Sequence, residues 1–447
     1  MRLHFIAVGG AIMHQLAIAL QRKGYHITGS DDEITDPAKS NLAEAGLLPE
    51  VPGWFPEKIT GDLDGIILGM HAKADNPELV RAGELGLQIY SFPEYIYEVS
   101  KNKKRVVVAG SHGKTTTTSM IMHVLKESGL AFDYLVGARV AGFEQSVKIT
   151  DAPVIILEGD EYPASVIEKR PKIHFYRPHI SVLTGIAWDH VNVFPTFSNY
   201  REQFDIYLRT FTEDSVLIYN REDAEVRFLG EKFSNVFRTV PYQTPDFIIA
   251  DNTVVVSTPY GEQPLQIFGS HNMQNMEAAR MVCNELGIDD LKFYKSIATF
   301  QGAARRFEKI SEREGFTAYR DFAHAPSKLK ATLKGARNQF AEHYLVACFE
   351  LHTYSSLNAD FLKEYEGAME HCDAGAVFFS THALNLKGLP PLSKEDVKRH
   401  FKRDDLVVFD KKEELEEWIQ DAVAGSDRPV CLLLMSSGTF DGMRTDF

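Results

Sequence analysis

Val106-Val107-Val108-Ala109-Gly110-Ser111-His112-Gly113-Lys114-Thr115-Thr116-Thr117-Thr118 decides how this chain is read. Three β-branched residues in a row predict a buried strand. Two glycines then predict a turn, and a lysine followed by hydroxyls opens a helix. Backbone N–H groups at such a turn point at bound phosphate, and the helix dipole favours its negative charge. Lys114 can neutralise β- and γ-phosphates, and the Thr115 hydroxyl can ligate Mg²⁺. The full pattern wants a glycine at position 108, where Val108 stands, so the loop is a shortened GxxGKT. Gly110, Ser111, His112, Gly113, Lys114, Thr115 and Thr116 are the expected cradle for ATP. A glycine turn with a chance lysine is the alternative, and it leaves the order of strand, turn and helix unexplained.

Strand and helix signals alternate on both sides of this stretch. Leu3 to Val8 reads as a strand, Gly9-Gly10 as a turn, Ile12–Lys23 as a helix and Tyr25 to Thr28 as a strand ending at Gly29-Ser30-Asp31-Asp32. Gly65–Leu68 is a further buried strand, and the pattern is that of a parallel sheet covered by helices. The glycine pair with an acidic pair about 20 residues on approaches a dinucleotide fingerprint, but Ala7 and Ile12 break GxGxxG. A turn admitting a different nucleotide's phosphates, or plain helix–strand packing, are the other readings. Lys101-Asn102-Lys103-Lys104-Arg105 reads as a solvated basic linker. Buried strands are expected at Val154–Leu157, Ile180–Thr184 and Val216–Tyr219, and a hairpin-like insertion at 245–268. The alternation restarts after Gln301-Gly302-Ala303 with strands at Thr317–Asp321, Tyr344–Phe349, Ala376–Phe379, Leu406–Phe409 and Val430–Met435. The chain is therefore α/β throughout.

With 447 residues, 44% hydrophobic and 25% charged, the chain has the composition of an ordinary soluble globular protein of about three domains. Its 48 basic against 62 acidic residues give a net charge of −14, which argues against nucleic acid as a partner. Cys283, Cys348, Cys372 and Cys431 are far apart and form no CxxC pair, so neither a disulfide framework nor a zinc site is expected. Gly9-Gly10, His14 and Gln15 interrupt the apolar N-terminus, and no stretch approaches a membrane span. A cytoplasmic protein without membrane contact is expected.

Several polar groups fall just past predicted strands, where open α/β sheets gather their ligands. Glu158-Gly159-Asp160-Glu161 follows one strand, and Glu158 beside a phosphate loop suits Mg²⁺. Asp189-His190 repeats the geometry, and His190 can serve a second Mg²⁺, touch a phosphate or be structural. His271, Asn272 and Asn275 lie in Gly269–Asn275 at a helix start, where amides can read a base edge and Asn272 can equally be an N-cap. Arg305 and Arg306 sit at the second boundary, and one of them can meet a γ-phosphate. Asp321, after a strand, can accept from a ribose hydroxyl or cap a helix.

Together, Gly110 to Thr118, Glu158 to Glu161, Asp189-His190, Gly269 to Asn275, Gly302 to Phe307 and Asp321 to Pro326 resemble the muramyl (Mur) ligases, ATP-dependent amide-bond synthetases of peptidoglycan building. The resemblance runs through nearly the whole chain in order. It implies a Rossmann-like UDP-sugar domain at 1–101, a central P-loop ATPase domain at 102–302 and a Rossmann-like acceptor domain at 303–447. It implies Lys114, Glu158, His190, Arg305 and Arg306 as the catalytic set, and Thr115, Glu158 and His190 as Mg²⁺ ligands. ATP would further meet His271, Asn272, Asn275 and Asp321.

His4 to Gly10 with Gly29-Ser30-Asp31 looks like the branch acting on UDP-N-acetylmuramate, with Gly9, Gly10, Ser30 and Asp31 as substrate contacts. Glu161-Tyr162, Glu168 to Tyr176 and Leu434 to Phe440 look like the member that adds the tripeptide L-Ala-γ-D-Glu-meso-diaminopimelate. Addition of L-alanine is the second reading. Ile12 and His14 depart from the family's glycine-rich turn. His352-Thr353-Tyr354 replaces an arginine-bearing segment, with His352 as the expected acceptor contact. Arg201 to Phe204 holds no lysine, so no carbamylated lysine is expected. A monomer or weak dimer is expected. A nicotinamide dehydrogenase leaves the Lys-Thr loop unexplained. A non-catalytic nucleotide-dependent sensor of wall fragments is the other competing class.

Overall fold

Buried apolar runs alternate with amphipathic helices to build three sheets rich in parallel pairs and one small antiparallel sheet, in a computed structural model that describes residues 1–138, 140–250, 253–302 and 306–444. Two compact units divide the chain: Met1–Gly185 with Glu202–Tyr242 and Ala278–Asp289, and Ile186–Arg201 with Gln243–Glu277 and Asp290–Phe447.

In the first unit, β1 (Arg2–Ile6), β2 (His26–Ser30), β3 (Gly65–Leu68) and β4 (Ile89–Ser91) form a parallel sheet in the order β2-β1-β3-β4. The second sheet comprises β5 (Lys104–Ala109), β6 (Phe132–Leu135), β7 (Val147–Lys148), β8 (Val154–Glu158), β9 (Ile180–Leu183), β10 (Val216–Asn220) and β11 (Arg238–Tyr242). Its order is β11-β10-β9-β5-β8-β6-β7, with only β7 antiparallel. Strand β5 is central and buried on both faces, which is why it reads as an unbroken β-branched run. The helix Lys114–Glu127 that follows it carries four threonines after its first residue, poor helix formers, and all four are buried. Packing against the sheet overrides propensity there.

The basic run at 101–105 is not a solvated linker. Lys103 and Arg105 are buried. The Lys103 Nζ donates to the Thr150 and Ala152 carbonyls at 2.9 and 2.6 Å and pairs with buried Asp133 at 2.8 Å. Arg105 Nε donates to Tyr176 and Arg177 carbonyls, and its Nη1 to those of Ser100 and Lys101. The run is a knot that ties the last helix of sheet one, Phe92–Ser100, to the segments that lead into the central strands β8 and β9 of sheet two.

In the second unit, the 245–268 insertion is a three-stranded meander rather than a hairpin: β12 (Phe247–Ala250), β13 (Thr253–Thr258) and β14 (Gly261–Leu265). The last sheet holds β15 (Glu308–Arg313), β16 (Phe316–Asp321), β17 (Tyr344–Leu351), β18 (Ala374–Phe379), β19 (Val407–Phe409) and β20 (Val430–Met435) in the order β15-β16-β20-β17-β18-β19. Alternate residues of β17 feed opposite cores: Leu345, Ala347 and Phe349 one side, Val346 and Cys348 the other. The four cysteines are free and buried. Among the described residues no helix is long and apolar enough to cross a membrane.

Candidate functional site

At the end of β5, Gly110 has φ +127°, and a Cβ there would collide with the Thr184 side chain and the Gly185 backbone. Only glycine fits. Thr184 in turn donates its hydroxyl to the His112 carbonyl, Asn220 holds the Thr184 carbonyl at 3.0 Å, and the His112 ring lies where a Cβ on Gly185 would be. Gly113, left-handed at φ +75°, is the N-cap and offers no side-chain cap. The first N–H groups of the helix therefore have no acceptor within it and face outward, as an anion requires.

Lys114 Nζ donates to the Gly110 carbonyl at 2.5 Å and to buried Glu161 at 2.7 Å. Burial works against its charge, yet Glu161, Asp160 and Glu158 hold its pKa above the ordinary lysine value. Asp160 is paired with Lys172 at 2.6 Å. Thr115 Oγ1 donates to Glu158 Oε1 at 2.8 Å, and the Gly137 N–H donates to Glu158 Oε2 at 2.7 Å. Two hard oxygen donors, one at the start of the helix and one at the end of β8, thus stand together, a set that suits Mg²⁺ completed by water and phosphate. Among the described residues no group of three or more His, Cys, Asp or Glu can hold a metal alone.

The other glycine turn of this unit is built differently. Ala7 adopts φ +66°, and the Ala7 and Val8 N–H groups both donate to the Ser30 carbonyl. Gly9 N–H donates to Asp31 Oδ2 at 2.7 Å, and burial raises the Asp31 pKa against that bond. Ser30 Oγ is enclosed and unpartnered. Buried His14 donates Nδ1–H to the Gly10 carbonyl at 2.9 Å, while its Nε2 accepts from Gln15 at 2.9 Å and Asn41 at 3.2 Å. Burial pushes the His14 pKa down, so the ring is neutral. The helix Met13–Arg22 has no side-chain cap.

The second unit gathers a different set. Asp189 is buried, accepts the His190 N–H at 2.7 Å, and lies 3.6 Å from His324 Nε2 and 3.5 Å from Lys328 Nζ. Although burial opposes it, His324 and Lys328 hold the Asp189 pKa well below the usual carboxylate value. His190 adopts φ +56°, and its carbonyl accepts the Val193 and Phe194 N–H groups. Asp321 is not a cap, because the helix Pro326–Gln339 has Ala325 at that position. Its carboxylate instead accepts from the Phe307 and Ala323 N–H groups and the Thr332 hydroxyl. His271 carries an enclosed Nδ1 with no partner among the described residues; burial lowers its pKa and Asp321 opposes the shift.

Asn272 is not an N-cap either. It lies inside the helix Ser270–Glu285, donates back to the Phe268 carbonyl at 2.9 Å and accepts from Asn275 at 3.3 Å. Arg306 stacks on Phe322, 4.5 Å from the ring centre. Arg305 lies outside the described residues. His352 Nδ1 is 3.3 Å from buried Glu350, whose other oxygen accepts from Ser436 and the Phe440 N–H.

Within the first unit the structure thus brings together Gly110, Lys114, Thr115 and Glu158, and separately Gly9, Ser30 and Asp31. Within the second, Asp189 joins His190, and Asp321 faces His271. Sequence reasoning gave no role to Glu161, His14, His324, Lys328 or Glu350. Lys328 was detectable as the residue one helical turn after His324; Glu161 sat inside the quoted acidic run.

Residues 2–104 match the family described as Mur ligase family, catalytic domain, and residues 108–283 match the Mur ligase middle domain. The UDP-N-acetylmuramate–L-alanine ligase of Arthrobacter sp. (strain FB24) is 32% identical over 386 residues, covering 84% of this chain and 80% of the relative. The UDP-N-acetylmuramate–L-alanyl-γ-D-glutamyl-meso-2,6-diaminoheptanedioate ligase of Haemophilus influenzae is 27% identical over 350 residues, 75% of this chain and 76% of the relative. The crystal structure of the UDP-N-acetylmuramate–alanine ligase of Thermotoga maritima superposes with a TM-score of 0.72 at 23% identity, covering 99% of this chain and 97% of that one.

Proposed function

The chain belongs to the Mur ligase family and has its three-domain α/β architecture, and on that premise we propose that it joins the lactyl carboxylate of UDP-N-acetylmuramate to the amine of L-alanine. It is an ATP-dependent ligase that forms a C–N bond. The observation that carries the reading is the pairing of Lys114 with Glu161 and of Thr115 with Glu158 at the mouth of a glycine turn that tolerates no side chain.

The γ-phosphoryl group of ATP passes to the carboxylate, giving an acyl phosphate and ADP. The acceptor amine then displaces phosphate and loses a proton as the amide forms. Phosphoryl transfer asks a protein mainly for position and charge. Lys114 lies against the turn and supplies the fixed positive charge. The helix N–H groups of residues 114–116 orient the phosphate oxygens. Mg²⁺ held by Thr115 and Glu158 would offset the charge between phosphates. His190 is assigned to a second Mg²⁺, and Arg305 or Arg306 to the γ-phosphate. His271, Asn272, Asn275 and Asp321 are assigned to the nucleoside. The Gly9-Gly10 turn, Ser30 and Asp31 are assigned to the UDP moiety, with domains at 1–101, 102–302 and 303–447. A cytoplasmic enzyme follows from a nucleotide-sugar substrate and ATP.

L-Alanine as acceptor is supported by the more similar relative. The tripeptide L-Ala-γ-D-Glu-meso-diaminopimelate is the second reading, supported by the Haemophilus relative. Phosphate release with UDP-N-acetylmuramate, comparing the two acceptors, tests both. Release with L-alanine alone upholds the first reading, and release only with the tripeptide replaces it with the second. Release with neither removes the ligase assignment.

A further inference from the structure

A cleft of about 780 Å³ opens in the first unit beside Ala19, Arg22, Lys126, Phe132, Tyr134 and Lys148. Its lining shares no residue with the glycine turn at 110–113 or with Gly9, Gly10, Ser30 and Asp31. Arg22 closes a helix of ten residues, about 15 Å long, whose other end is the Gly9-Gly10 turn. Lys126 likewise lies in the last turn of the helix that Lys114 begins.

Part of this basic rim has an ordinary explanation. Arg22 and Lys126 complement the negative ends of their helices. Lys23 is bonded to the Thr150 carbonyl and to Asp151, both at 2.8 Å, and Lys126 to the Gly142 carbonyl at 2.9 Å. Lys148 and Tyr134 are not so explained. Tyr134 is only 5% exposed, lines the cleft, and its hydroxyl has no hydrogen-bond partner among the described residues. The hydroxyl oxygen is not enclosed and opens on the cleft, where it can donate to a ligand. Lys148 on β7 is directly opposite Tyr134 on β6, so both side chains stand on one face. Burial pushes the Tyr134 pKa up to about 12, with Glu144 adding to the rise and Arg22 opposing it, so the hydroxyl is a donor at neutral pH. Glu144 and Asp151 are the carboxylates of the lining, and Asp151 is already paired.

The floor is aromatic. Phe143 meets Tyr134 edge-on at 5.3 Å and Phe132 at 6.2 Å, and the Lys126 ammonium lies 5.3 Å from the Phe143 ring centre. A flat ring finds a stacking surface there, and its anionic group finds a phenol donor and two cations. The volume falls in the range of small-molecule pockets.

We propose that this cleft is a second ligand site of the chain, built for a nucleoside monophosphate: the phosphate between Arg22, Lys148 and the Tyr134 hydroxyl, the base against Phe143. It is independent of the ligase reading. The test labels the full-length protein with 3-fluorotyrosine and identifies the Tyr134 resonance by its loss in Tyr134→Phe. Uridine 5′-monophosphate and uridine are titrated separately. The expected result is a saturable shift of the Tyr134 resonance with the monophosphate and none with uridine, weakened at least tenfold in Arg22→Gln/Lys148→Gln. Both substituted residues are exposed, and an unchanged melting temperature verifies the fold of the variant. No shift with the monophosphate, an equal shift with uridine, or a shift indifferent to the double substitution would overturn the proposal. Failure here leaves the phosphate-release assay untouched, and the reverse holds too.

Discussion

The two glycine turns of the first unit share one frame and spend it differently. Each follows a parallel strand inside its sheet and opens a helix without a side-chain cap. At 110–113 the residues that follow present an ammonium and a hydroxyl, matched to Glu161 just past β8 and to Glu158 at its end. At 9–10 the side chains turn back on the backbone, Asp31 to the Gly9 N–H and His14 to the Gly10 carbonyl. In the proposed reaction the first turn carries the charge, and the second, held by its own side chains, recognises the group that does not react.

The sharpest way to break this contrast is Lys114→Ala. Loss of one charge stabiliser should cost on the order of a hundred- to a thousandfold in turnover. The same change takes the ammonium away from buried Glu161, a loss of up to about 3–5 kcal/mol. Lys114→Ala/Glu161→Gln should therefore regain stability in urea without regaining phosphate release. Turnover returning along with stability would mean that Lys114 serves the fold alone.

A smaller effect is expected of Glu158→Gln. Its Mg²⁺ titration should move to concentrations at least about tenfold higher, the loss seen even for outer-shell partners of metals. Binding of the UDP sugar, followed by calorimetry, should hardly change. Coupled loss of both would erase the distinction between the turns.

Gly110→Ala and Gly9→Ala compare the frames themselves. Gly110 is left-handed and walled in by Thr184 and Gly185, so alanine should cost roughly 1–3 kcal/mol in urea unfolding. At Gly9 the φ is not left-handed and the added methyl would most closely meet the side chains of Asp31 at 2.9 Å and Ile34 at 3.0 Å, so the loss should be smaller.

The mildest probe concerns pH. His14 is held neutral by burial, its folded pKa below the ordinary histidine value of 6.5. The unfolded chain therefore takes up the proton first, and stability falls as pH drops below about 6.5, by at most about 1.4 kcal/mol per pH unit for one proton. His14→Gln should flatten that slope between pH 7 and 5. An unchanged slope would show that His14 is not the group responsible.

What the sequence disclosed followed from local chemistry. The β-branched run of β5, the glycines at 110 and 113 and the apolar strands of both large sheets were legible, because each depends on neighbours a few residues away. Glu161 escaped because its partner, Lys114, lies 47 residues earlier. Of the two readings open for Asn272, the cap fails because the helix starts at Ser270 and the side chain bonds backward. The burial of Lys103 and Arg105 depends on carbonyls from 150–152 and 176–177, which no window of sequence brings near.

That knot carries a practical consequence. Lys101, Lys103, Lys104 and Arg105 place four preferred trypsin sites within five residues, the densest such cluster a digest map would flag between two domains. Yet the backbone from Lys104 onward is already in a strand, and the side chains at 103 and 105 are spent on distant carbonyls. Brief native digestion should spare this segment, and a fragment ending there would signal that the protein had unfolded first.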